Sequence, residues 1–222
     1  MKRITSTLVL AAALSLTGGA ALAEETRFKQ PLIDAAQCTL PGYPKPALRR
    51  GEEGLVIVGV QVDESGAVLD TKILLSSGSA DLDRAAQTAF RKCRHTPATV
   101  DSRPVTMWGQ VQYVWTMEPS SGKMLKGLQQ AALDGNLEAR YALGAILDSP
   151  GRTEAEQAAG LKLVISAAEA GLPMAQIALA SKYESGKQVL RDIAEAHSLY
   201  AKAAAQGNVV AIDHLRVLGD AH

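Results

Sequence analysis

One periodicity limits what this chain can fold into more than any other feature. Ala131-Ala132 followed by Gly135, Ala167-Ala168 followed by Gly171, and Ala203-Ala204 followed by Gly207 recur every 36 residues. Ala139, Ala175 and Ala211 keep the same interval, as do Leu143, Leu179 and Leu215. A unit repeated at such a period cannot bury its apolar face alone and must stack on copies of itself, so the second half is expected to be a solenoid of helical hairpins. The small residues suit helices that cross closely, and a glycine after a helix can take the left-handed cap conformation. The pattern predicts six helices near 123–134, 137–148, 154–170, 173–184, 192–206 and 209–219, paired into three hairpins.

Upstream the pattern changes. Val56, Val58, Val60 and Val62 alternate, which predicts a half-buried strand from Gly54. Asp63-Glu64-Ser65-Gly66 is turn chemistry, and Val68 to Leu75 returns as the second strand of a hairpin. Its inward face is ambiguous, because Val68, Leu69, Ile73, Leu74 and Leu75 fit neither alternation. Ser79 is placed to cap a helix that carries Leu82, Ala85, Ala86, Ala89 and Cys93 on one stripe. Pro97 and Pro104 bracket an expected loop, and Val105 to Met117 alternates as a long third strand. The expected fold is therefore α+β: a small three-stranded antiparallel sheet with packed helices, followed by the all-α solenoid.

The N-terminus reads as an address. Lys2 and Arg3 precede an apolar run from Leu8 to Leu16, and Ala21-Leu22-Ala23 is an A-x-A cleavage site. The expected organisation is a signal peptide over 1–23 cleaved after Ala23, a lead-in over 24–37, an α+β domain over 38–118, a linker over 119–122 and the repeat domain over 123–222. The mature chain is expected in the periplasm. In that oxidising compartment the pair Cys38 and Cys93 most simply forms one disulfide; a lone nucleophile or a metal ligand are the alternatives, and neither cysteine has a CxxC partner.

The residues Tyr43-Pro44, Ala47, Gly51, Gly54, the Val56–Val62 alternation, Gly66, Ser76-Ser77-Gly78, Leu82-Asp83, Ala85-Ala86, Pro97-Ala98 and Pro104-Val105 occur in one order across some 60 positions. This text resembles the C-terminal domain of the TonB energy transducers of Gram-negative bacteria. The resemblance implies a three-stranded sheet with helices on one side, and a domain that binds peptide rather than turning over substrate. It implies a protein or peptide partner, with a segment of an outer-membrane TonB-dependent transporter as precedent, adding as a strand to a sheet edge. Thr106, Trp108, Gln110, Gln112 and Val114 of the last strand are the residues expected at that edge; cover by the second domain or a homodimer through the edge are the alternatives. Where the family has a Trp-Arg-Phe pattern at the end of the domain helix, this chain has Cys93, Arg94 and His95. A Cys38 bridge is expected to replace the aromatic packing there, leaving His95 at the surface.

In the second half, Tyr183-x-x-Gly186 and Ala194-Glu195-Ala196 before Leu199-Tyr200-x-Lys202-Ala203-Ala204 resemble the Sel-one-like repeats, relatives of the tetratricopeptide repeats. That resemblance implies a scaffold with a concave binding face, on which Tyr141, Tyr183 and Tyr200 are candidates; the competing reading places these aromatics in the core.

Charge and motifs bound the function. Lysine plus arginine and aspartate plus glutamate number 23 each among 222 residues, and aromatics are 4%, which argues against a nucleic-acid surface and against a polybasic membrane anchor. Membrane contact is expected only through a partner. No GxSxG, HExxH, GxGxxG or GxxxxGK[ST] motif occurs, and His95, His197, His214 and His222 are scattered, so no catalytic residue, metal or cofactor is expected. Two other functions stand as alternatives: a transducer that keeps its N-terminal segment as a membrane anchor, and a hydrolase of cell-wall or β-lactam substrates.

Overall fold

The computed structural model describes residues 28–33, 38–117 and 122–219. The expected signal peptide, the remaining lead-in residues, residue 118 and linker residues 119–121 lie outside the described residues. Among the described residues no helix is long and apolar enough to cross a membrane.

The first unit is built on the antiparallel sheet β4-β3-β8, with β3 at Gly54–Val62, β4 at Val68–Leu75 and β8 at Met107–Trp115. Helix α1 (Lys45–Arg50) and helix α2 (Ala80–Phe90) lie on one face; the Ser79 side chain caps α2 by accepting from the Leu82 amide. Val56, Val58, Val60 and Val62 pack there against Leu82, Ala86, Phe90 and Trp115. Cys38 and Cys93 form the disulfide, joining the segment before Tyr43 to the chain just past α2.

The strand β4 escapes a simple alternation because two of its residues are bulged. Ile57 pairs with Leu75 and Val58 with Ile73, and Gln61 pairs with Asp70 and Val62 with Val68, which leaves Leu74 and Leu69 as the extra residues. Each bulge flips the inward face, and the two residues that spoil the pattern in the sequence are the bulged ones.

Several expectations are corrected. The stretch between Pro97 and Pro104 is paired chain rather than a loop. Strands β6 (Ala98–Val100) and β7 (Arg103–Val105) form a hairpin whose turn residues Asp101 and Ser102 both have positive φ, 48° and 67°. That geometry is the twisted two-residue turn favoured by hairpins, here built without glycine. The final strand consequently begins at Met107, with Val105 in the hairpin. The described part of the lead-in pairs with the chain past α2: β1 (Phe28–Lys29) pairs with β6, and β2 (Leu32–Ile33) pairs with β5 (His95–Thr96). Pro31 and Pro97 interrupt the ribbon, leaving two-residue pairings too short to show a period. His95 is 5% exposed, interior rather than at the surface, because its amide bonds the Gly66 carbonyl and draws the ring inward.

The second unit has six helices: α3 (Gly122–Leu133), α4 (Leu137–Leu147), α5 (Glu154–Glu169), α6 (Pro173–Ser185), α7 (Ile193–Ala205) and α8 (Val209–Gly219). Gly135, Gly171 and Gly207, one period apart, all take positive φ at the hairpin corners. Thr153 and Glu156 form a reciprocal capping box at the start of α5. Helices α4 and α5 meet backbone to backbone at Gly144 and Gly160, where a Cβ on Gly160 would stand 2.6 Å from the Gly144 carbonyl oxygen. One period on, the same two places are held by Ala180 and Ala196, both buried.

The two units share a core. Leu55, Ile57, Leu75 and Trp108, on the sheet face away from α2, join Tyr141, Ile177, Leu179 and Tyr200 of the repeats in one apolar cluster. Strand β3 is thus covered on both faces, not half-buried. The helical solenoid supplies the second layer that an isolated three-stranded sheet with helices on one side lacks.

Candidate functional site

Strand β8 has β3 on one side only, so its outer edge decides what the sheet can bind. Its register with β3 is unbroken from Gly54↔Trp115 to Val62↔Met107. In an antiparallel ladder the amide and carbonyl of one residue point the same way, and alternate residues point to opposite sides. The Trp108 amide donates outward to Asp213 Oδ2 at 2.7 Å, which fixes the parity: Trp108, Gln110, Gln112 and Val114 all present their backbone groups away from β3. These are the alternate positions singled out in the sequence.

The structure divides that set. At the start of the strand α8 occupies the edge. Asp213 accepts from Trp108, and Arg216 Nη2 donates to the Thr106 carbonyl at 3.3 Å while holding Asp213 Oδ1 at 2.6 Å. One side chain accepts and the other donates, as a neighbouring strand would. Trp108 is 8% exposed and belongs to the shared core, with the Lys72 ammonium over its ring. Beyond it, the outward groups of Gln110, Gln112 and Val114 have no backbone partner among the described residues. Gln110 and Gln112 are exposed and Val114 is half-buried.

The other sheet edge, β4, is a poorer template. Its two bulges break the row of amides, and the Gln87 side chain of α2 donates to the Thr71 carbonyl at 2.9 Å.

Beside the open part of β8 lies a cavity of about 550 Å³ between the strand and the inner helices α4 and α6. Gln110, Gln112 and Val114 form one wall and Tyr141, Ala145 and Ala178 much of the other. Within it Lys182 Nζ and Asp148 Oδ2 form an ion pair at 2.6 Å, both largely buried, and the Gln188 side chain donates to Asp148 and accepts from Lys182. The Tyr141 hydroxyl is pushed well above its ordinary pKa by burial, with the Asp148 charge adding to it.

The tyrosines proposed for a concave face separate in the same way. Tyr141 and Tyr200 are buried where the repeats meet the sheet, and Tyr183 is half-buried. Tyr200 stacks on His214 at 3.8 Å between centroids and donates to Glu184 at 3.2 Å; burial, then the Glu184 charge, push its pKa up. The chain's own sheet therefore fills much of the surface that a free solenoid would offer. A second cavity, about 560 Å³, lies behind the disulfide between Thr39–Pro44 and α2.

Asp213, Arg216, Asp148 and Lys182 carry the site and are absent from the sequence-based set. One signal was available: the column one period apart reads Tyr141, Ile177, Asp213, and a carboxylate in a column otherwise apolar needs a buried partner.

A three-stranded antiparallel sheet backed by helices, its last strand unpaired along part of its outer edge among the described residues, offers the main-chain groups that strand addition uses. Residues 39–117 match the family described as Gram-negative bacterial TonB protein C-terminal. The chain is 43% identical over 71 residues to Protein TonB of Xanthomonas campestris pv. campestris (strain B100). That match covers 32% of this chain and 32% of the relative, about a third of its length. Among solved structures, the solution NMR structure of Pseudomonas aeruginosa TonB CTD is 28% identical, covering 42% of this chain and 90% of that one at a TM-score of 0.34. The crystal structure of Sel1 repeat protein from Oxalobacter formigenes is 29% identical, covering 39% of this chain and 25% of that one at a TM-score of 0.37.

Proposed function

We propose that the chain is a non-enzymatic binding module of the Gram-negative periplasm that takes an extended segment of a protein partner onto β8. The observation that carries this reading is the run of outward groups at Gln110, Gln112 and Val114 that have no backbone partner among the described residues, beside a strand start already closed by Asp213 and Arg216. Three residues each offering a donor and an acceptor provide up to six main-chain bonds, each worth about 0.5–1.5 kcal/mol net. A segment of an outer-membrane TonB-dependent transporter is the partner class that the TonB-type domain favours. The test is a cross-linking pull-down from periplasm with the wild type and Gln112→Pro. Because the Gln112 amide points away from β3, proline there removes no ladder bond within the sheet, yet it blocks an added strand. Loss of a specific envelope protein from the Gln112→Pro capture is the expected result; unchanged capture refutes the reading.

The 43% identity to a Protein TonB favours a second reading, in which residues 4–23 stay attached as an anchor and the chain acts as a TonB-type transducer. Intact mass of the protein from an envelope fraction separates the two: a species beginning at Glu24 excludes the anchored form.

A further inference from the structure

The inner helices α4, α6 and α8 pass β8 in turn, and the same column of each repeat faces it. On α8 that column carries Asp213, which reaches the Trp108 amide. On α4 and α6 it carries Tyr141 and Ile177, and the positions beside the cavity are the small Ala145 and Ala178. Helix α8 thus closes the edge, while α4 and α6 leave the 550 Å³ space open along Gln110, Gln112 and Val114.

A strand added to β8 would send alternate side chains to each face of the sheet. One of those faces opens into this space. Its floor is apolar, formed by Tyr141, Ala145, Val164 and Ala178. Its lining charges are Asp148, Lys182 and Lys187. The first two neutralise each other as an ion pair. Lys187 is exposed at the rim and its ammonium has no partner among the described residues, so one positive charge is left uncompensated above an apolar floor.

We propose that this cavity reads the side chains of the added strand: the partner segment carries an aliphatic side chain that enters over Ala145 and Ala178 and, two residues along on the same face, a carboxylate that pairs with Lys187. The inference rests on strand addition at β8 and adds to it a second wall, supplied by the repeats, that selects the sequence of the guest.

Fluorescence anisotropy of the full chain tests it with two labelled hexapeptides. Both have threonine on one face and, on the other, valine followed two residues later by glutamate in one peptide and by lysine in the other. The wild type is expected to bind the glutamate peptide about fivefold more tightly. Lys187→Glu, at an exposed side chain, is expected to invert that order, and Ala178→Phe, which fills the floor, to weaken the glutamate peptide about tenfold. Equal affinities in the wild type, or an order unchanged by Lys187→Glu, overturn the cavity reading; if Gln112→Pro still abolishes binding, strand addition itself survives. Binding that persists in Gln112→Pro overturns strand addition and the inference with it. Absence of binding to either peptide at millimolar concentration overturns the inference as well.

Discussion

Asp213 is the residue on which the joint between the two units turns, and its replacement separates the contributions of one carboxylate. The side chain is 9% exposed, accepts the buried Trp108 amide at 2.7 Å and is held by Arg216 at 2.6 and 2.8 Å. Asp213→Ala leaves a buried donor without an acceptor, at about 1–3 kcal/mol. It also removes an ion pair whose arginine is 54% exposed, worth about 0–1 kcal/mol. The expected loss is about 1–4 kcal/mol, which for a chain of this size lowers the melting temperature by up to on the order of 10 °C. Asp213→Asn keeps an oxygen for the Trp108 amide and should cost about 1 kcal/mol, as should Arg216→Ala. Urea unfolding at pH 7 gives the stabilities, and hydrogen exchange at the Trp108 amide reports the contact itself. An Asp213→Ala variant within about 0.5 kcal/mol of the wild type, with the Trp108 amide still protected, would refute the assignment of this bond as a structural clamp.

Three further outcomes are expected. Reducing the Cys38–Cys93 bridge, which spans 55 residues of sequence, should lower stability by about 4 kcal/mol on loop-closure entropy; unchanged urea midpoints with and without dithiothreitol would contradict this. Gly160→Ala should destabilise by about 1–3 kcal/mol despite better helix propensity, because its Cβ meets backbone atoms of α4 at 2.6 and 2.8 Å. Gly127→Ala on α3, with nothing within 4 Å of the new Cβ, should stabilise by up to about 1 kcal/mol, and thermal melts of the two variants should therefore move in opposite directions. Burial holds the His95 imidazole below its ordinary pKa, the Phe90 carbonyl opposing in part. The unfolded chain then binds a proton near pH 6.5 that the folded chain refuses, so stability is complete above that pH and falls as pH drops below it. His95→Gln should flatten the stability profile between about pH 5 and 7, which a pH series of urea titrations would show.

The repeat is the part most legible in the sequence, since the 36-residue interval places the corner glycines and all six helices lie within two residues of their expected limits. The hairpin of β3 and β4 is legible in outline, and the residues that resist assignment, Leu69 and Leu74, are those bulged out of register. The double burial of β3 had a signal as well: Leu55 and Ile57 interleave with the valines to make a continuous apolar run, the mark of a strand covered on both faces. The ribbon of residues 28–33 with 95–100 had none, because pairings of two residues interrupted by Pro31 and Pro97 carry no period. Division of the edge strand into a closed and an open part rests on contacts such as Trp108 with Asp213, which local patterning does not encode.

The clamp on β8 joins residues 105 positions apart, and this has a bearing on the order in which the chain emerges. Every strand of the sheet leaves the ribosome or the export channel long before α8 does. Through that interval the whole edge from Thr106 to Val114 is bare, and any extended neighbour can claim it. Domains released from a ribosome at about 5–20 residues per second leave such a window open for several seconds. The last helix of the repeat therefore acts as a late seal, and chains delayed before α8 is made should be the ones that stick to one another.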